Sequence, residues 1–150
     1  MASMYEELES KIKDLLLGGD KTQAEVYKML KSALLLQAKE LSLEAPGDEI
    51  FVDVLRKQIK MREDAVESFI EGGAADRADK ERDEAELLKS LLPKQINDDE
   101  ISVLIDEVAN ELGLTVERST MGKIIAGVSE RAGQSASKSD IARAINKRLA

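Results

Sequence analysis

Apolar residues recur at helical spacing in six or seven stretches of the chain, separated by glycine, proline and polar stops. The first stripe is Met4, Leu8, Ile12, Leu15 and Leu16, ended by Gly18-Gly19-Asp20. Thr22 with Glu25 reads as a capping box for the next helix, whose stripe is Val26, Met29, Leu30, Ala33 and Leu34. Pro46-Gly47 marks a loop, and Asp48 is placed to cap the longest helix, Glu49–Glu71. Its stripe, Val52, Leu55, Ile59, Val66 and Phe69, is interrupted by Arg62 and Glu63, and Gly72-Gly73 ends it. Ala74–Leu92 offers only alanines to bury over ADRADKERDEAE, so its first turns are expected to be solvated or frayed, with Leu88, Leu91 and Leu92 as the anchor.

The pattern changes at LLKSLLPKQI, Leu87–Ile96. Pro93 disfavours helix at Leu92, and Asn97 with Glu100 forms a capping box that opens a new helix. Beyond it lie three short stripes: Ile101, Leu104, Ile105, Val108 and Leu112; Met121, Ile124, Ile125 and Val128; and Ile141, Ala144, Ile145 and Leu149. Gly113 and Gly133 stop the first two, and Ser137 with Asp140 caps the third. No stretch alternates with strand period and no strict repeat is visible. The expected fold is all-α, with about four helices in an N-terminal domain, 1–93, and three in a small C-terminal domain, 94–150. Gly122 and Gly127 each cost about 1 kcal/mol inside a helix relative to alanine. Either close helix packing or the approach of an RNA backbone accounts for that cost.

Composition sharpens this picture mainly by what is missing. The chain has no histidine and no cysteine, which removes Ser-His-Asp and Cys-His catalysis, zinc held by His or Cys, and a Glu-x-x-His dinuclear site. Aromatics are 3% of 150 residues, so the core is aliphatic. The acidic residues of Ala74–Leu92 have nothing beside them to complete a metal site, and no metal or cofactor is expected. No run is long enough to span a bilayer, and the acidic start MASMYEELES lacks a signal-peptide pattern; a cytoplasmic protein without a membrane partner is expected.

Charge is unevenly distributed. Of the net −8, only −1 falls from Lys94 onward, with 8 basic and 9 acidic residues there, which leaves −7 on the first module. Lys138–Ala150 holds Lys138, Arg143, Lys147 and Arg148 against Asp140 alone. These cations complement a helix C-terminus, and equally form a face that could meet phosphate, with Lys123 adding to it from the preceding helix.

Four segments, LRKQIKMREDAVESF at Leu55–Phe69, KERDEAELLKSLLPKQI at Lys80–Ile96, MGKIIAGV at Met121–Val128 and IARAINKRL at Ile141–Leu149, resemble the GatB/YqeY family over nearly the whole chain. The resemblance implies two helical domains akin to the tail region of the B subunit of the tRNA-dependent amidotransferase, which touches tRNA away from the chemistry. It also carries the label of a carbon–nitrogen ligase with glutamine as amido-N-donor. Two departures stand out: Ser137 precedes Lys138 where the family tends to place a glycine, which weighs against a phosphate-binding turn, and Tyr27-Lys28 replaces a Leu-Arg step, a packing or surface change.

The catalytic part of that label has no support in the residues. There is no glycine-rich Ser-Ser stretch with its lysine and no Walker-type loop, so no catalytic residue is assigned and no independent activity is expected. The leading reading is a tRNA-binding or amidotransferase-associated module in which Lys123, Lys138, Arg143, Lys147 and Arg148 contact phosphates. The alternative is an adaptor whose acidic helical surface meets a basic partner, such as a synthetase or a ribosomal protein, with no RNA role.

Overall fold

The computed structural model describes residues 2–150. Among them are seven α-helices and no strand. The chain divides into two compact units, Met1–Leu92 and Pro93–Ala150.

The first unit contains α1 (Met4–Leu17), α2 (Lys21–Glu40), α3 (Asp48–Glu71) and α4 (Ala75–Lys89). Its helix starts differ from the sequence reading at two places. Asp20, not Thr22, caps α2, its carboxylate accepting the Gln23 N–H at 3.0 Å. Gly47 precedes α3 without a side-chain cap, and Asp48 instead accepts the Met4 N–H at 2.9 Å. That bond ties the starts of α1 and α3, which a local capping rule cannot foresee. The α1–α2 stop works through Gly19, at φ 82, which lets the Asp20 N–H return to the Leu15 carbonyl at 2.9 Å.

Leu8 and Ile12 of α1, Val26, Leu30 and Leu34 of α2, Phe51, Leu55 and Ile59 of α3, and Leu88 of α4 meet in one core, aliphatic but for Phe51 and Tyr27. Tyr27 is buried in it, and its hydroxyl donates to the Leu87 carbonyl at 3.3 Å, so the Tyr27-Lys28 departure is a packing change. Met29 is 56% exposed, so it is not a core residue of its stripe.

Arg62 does not interrupt the stripe of α3; it belongs to it. Leu55, Ile59, Arg62, Val66 and Phe69 keep the 4,3 spacing of one face, and Arg62 is the one charged residue buried among the described ones. It donates to Glu81 at 3.2 Å and to Glu84, both on α4, and to the Met29 sulfur at 3.7 Å, while its buried Nε has no partner. The start of α4 is therefore not frayed: Ala78 and Ala85 are buried, and small side chains let α4 lie close against α3. Lys89 adds a contact to Glu63 at 3.2 Å, and that hydrogen-bonded carboxylate raises the Lys89 pKa above its ordinary 10.5.

The second unit contains α5 (Asp98–Leu112), α6 (Met121–Ala132) and α7 (Lys138–Leu149). The Asn97–Glu100 capping box forms as the sequence indicates. Ile101, Ile105 and Val108 of α5, Ile124 and Val128 of α6, and Ile141 and Ile145 of α7 share a second core. Gly127 belongs to it: a Cβ there would stand 2.6 Å from the Val108 Cγ1, so close packing of α5 and α6 requires the glycine. Leu112 is 52% exposed and drops out of its stripe. The Pro93–Ile96 segment is fastened to the turn between α6 and α7. Gln95 donates to the Gln134 carbonyl at 2.9 Å, and the Ile96 N–H donates to the Ser135 carbonyl at 2.9 Å.

Candidate nucleic-acid interface

α7 places the basic residues. Ser137 accepts the Asp140 N–H at 3.0 Å and fixes the start of the helix, while Ile141 and Ile145 fix which side faces the core. From there helix geometry dictates the rest. Arg143 and Lys147, one turn apart, project within about 40° of each other and away from the buried isoleucines. Lys138 projects about 140° from Arg143 and 180° from Lys147, on another side of the helix. The four-residue spacing of Arg143 and Lys147 already places these two on one helix face in the sequence, and Lys138, named with them as lying off the apolar stripe, stands apart.

Both members of that pair are exposed. Arg143 contacts Asp140, with 72% of its side chain exposed, and a solvated pair of this kind holds by well under ~1 kcal/mol. Arg143 can thus exchange Asp140 for an outside anion at little cost. Lys147, Lys138 and Lys123 are exposed and take part in no ion pair among the described residues.

Arg148 differs. It donates to Asp106 of α5 at 2.6 Å, to the Ser102 carbonyl at 3.2 Å and to the Ser102 hydroxyl. Sequence reasoning had no route to this contact, because Asp106 lies on another helix and its partner is set by packing. Arg131 of α6 makes the matching contact on the other side of α5, to Glu107 at 3.3 Å and to Glu111.

Lys123 stands in the first turn of α6 beside Gly122, which is exposed and has nothing within 4 Å of where a Cβ would be. No side chain caps this helix start. The Thr120 hydroxyl instead donates to the Thr115 carbonyl at 2.6 Å and accepts the Glu117 N–H at 3.1 Å, closing the preceding turn. The two glycines of α6 thus have separate explanations: Gly127 is packing, and Gly122 borders open space.

Over this frame the family becomes plain. A family model described as Yqey-like protein matches residues 5–149. The chain belongs to the YqeY-like family. Among curated proteins, none matches it. The match covers nearly all of both units, in accord with the four segments that carried the resemblance.

Two further features of this YqeY-like chain bear on chemistry. No group of three or more carboxylates that could hold a metal ion occurs among the described residues. A cleft of about 170 Å³ in the first unit is lined by Met4, Glu7, Leu8, Lys11, Phe51 and Leu91. That is below the ~300 Å³ of ordinary small-molecule sites. No helix among the described residues is long and apolar enough to cross a membrane.

Proposed function

We propose that the chain is an accessory module that binds folded RNA through the Arg143–Lys147 face of α7, with tRNA, in association with an amidotransferase or synthetase, as the RNA its family resemblance favours. The single observation that carries this reading is the pair itself, two exposed cations on one helix face, of which Lys147 is in no ion pair among the described residues and Arg143 has only an exchangeable contact to Asp140. Phosphate contacts of this kind orient an RNA without reading its bases. The four aromatic residues all lie in the first unit, where Tyr27 and Phe51 are buried, so base stacking has little to work with and shape recognition is favoured. Independent glutamine amidation is not part of the proposal, since the sequence offers no nucleophile or nucleotide loop for it. The proposal includes a cytoplasmic location and two domains, 1–93 and 94–150.

Binding to a purified tRNA pool across salt concentrations tests the proposal. Log affinity should fall with log salt, and changing Arg143 and Lys147 together to glutamate should weaken binding while helicity and melting stay nearly the same. The duplex-DNA coefficient suggests a slope change of about one unit per lost phosphate contact. Unchanged affinity in a well-folded double variant removes α7 as the RNA face.

A second reading rests on the first unit. Its net charge of −7 and its exposed Met29, Leu35 and Leu36 on α2 suit an adaptor for a basic protein. Capture of a synthetase or a ribosomal protein without any RNA shift would favour it.

A further inference from the structure

We infer that Arg148 is a positioning residue that locks α7 onto α5, and not one of the phosphate ligands. The inference rests on the proposal that α7 meets RNA, and it divides the basic residues of the second unit by task.

Three contacts hold the Arg148 guanidinium. Asp106 takes Nη1 at 2.6 Å, and the Ser102 carbonyl and hydroxyl take Nη2. Ser102 and Asp106 are one helical turn apart, so a single planar fork reaches both, a geometry that arginine provides and lysine does not. The side chain is 29% exposed, against 72% for Arg143. Arg148 projects about 100° from Lys147, towards α5 and away from the outward face. To touch a phosphate it would have to leave all three partners, whereas Arg143 leaves one exchangeable carboxylate.

The same logic repeats on α6, where Arg131 is taken up by Glu107 and Glu111. α5 contains six acidic residues, Asp98, Asp99, Glu100, Asp106, Glu107 and Glu111, and no basic one. It draws one arginine from each neighbouring helix. What remains for an outside anion in the second unit is Lys94, Arg118, Lys123, Lys138 and Lys147, all exposed, and the loosely held Arg143. α7 is short, and only Ile141 and Ile145 are fully buried along it. A lock in its last turn therefore sets how steadily Lys147 and Arg143 are presented.

The experiment uses the full chain, thermal melts and titration of the purified tRNA pool at several salt concentrations. R148Q and D106N should each lower the melting temperature, and the double variant should fall short of the sum of the two, because they remove the same contact. R148Q should weaken tRNA binding by about three- to tenfold at every salt concentration, the cost of ordering a loosened helix, with the salt slope unchanged. R148K, which retains the charge and can still reach Asp106, should recover part of both losses. A slope that falls by about one unit with melting unchanged would make Arg148 a phosphate ligand and overturn the inference. Lowered melting with tRNA affinity unchanged would leave a structural bond without a positioning role, and also overturns it. If the wild-type chain binds no tRNA, the RNA reading fails on its own. The melting cycle then still decides whether the lock exists, since non-additivity upholds it and additivity refutes it.

Discussion

Gly122 and Gly127 lie on the same helix and are indistinguishable by propensity, yet they answer to different constraints. Gly127 has Val108 where its Cβ would go, at 2.6 Å, and Gly122 has open space. G127A should therefore destabilise the protein by about 1–3 kcal/mol, the usual cost of overpacking a core. Shortening the obstacle as well, in G127A/V108A, should cost less than the sum of G127A and V108A, because the added Cβ then occupies space that Val108 vacates. G122A should stabilise by up to about 1 kcal/mol, since alanine is the better helix former. Urea denaturation of these variants and of V108A checks all of this, and equal effects at the two glycine positions would contradict the packing argument. The sequence shows that both glycines are costly in a helix. Which one packs depends on a side chain 19 positions away, so it cannot be read locally.

At the scale of elements, α4 shows how a helix with little to bury still docks. Ala78 and Ala85 allow it near α3, and Arg62 fixes it through Glu81 and Glu84. A buried ion cluster of this kind adds little net stability over an apolar replacement, but breaking it leaves uncompensated charge inside. R62A should accordingly cost about 3–5 kcal/mol, and R62M, which also leaves Glu81 and Glu84 without their cation, should recover only the part of that loss that comes from the vacated space. Amide exchange in Ala75–Lys89 should accelerate in R62A more than exchange in α2. The spacing of Arg62 with Ile59 and Val66 was visible in the sequence as an inward position. Its charge made it look like an interruption, because the two carboxylates that accept it arrive from a different helix, 19 and 22 residues on.

At the scale of the whole molecule, each unit has a core of its own. A fragment of residues 93–150 should fold alone and give dispersed amide resonances. A fragment of residues 97–150 should melt at a lower temperature, because it lacks the Gln95–Gln134 and Ile96–Ser135 bonds that fasten the segment before α5. A fragment 93–150 that is unfolded while the intact chain is folded would mean that the second core is not self-sufficient.

Features that depend on neighbours along the chain are legible in the order of residues alone. Helical periodicity set every helix but α4, whose first turns offer only alanines to bury; the Asn97–Glu100 and Ser137 caps follow from residues three apart, and the Leu-Leu-Pro-Lys-Gln step marks the junction because proline acts on the residue before it. The motifs also carried the family. The fate of the charged side chains depends on how the helices pack. Arg62, Arg131 and Arg148 look alike in sequence to Arg143, and each is distinguished by carboxylates that packing brings from another helix. The candidate site was legible as a basic stretch with Arg143 and Lys147 on one helix face, and the engagement of Arg148 by α5 was not, because a long cationic side chain takes its role from whatever partner lies within reach.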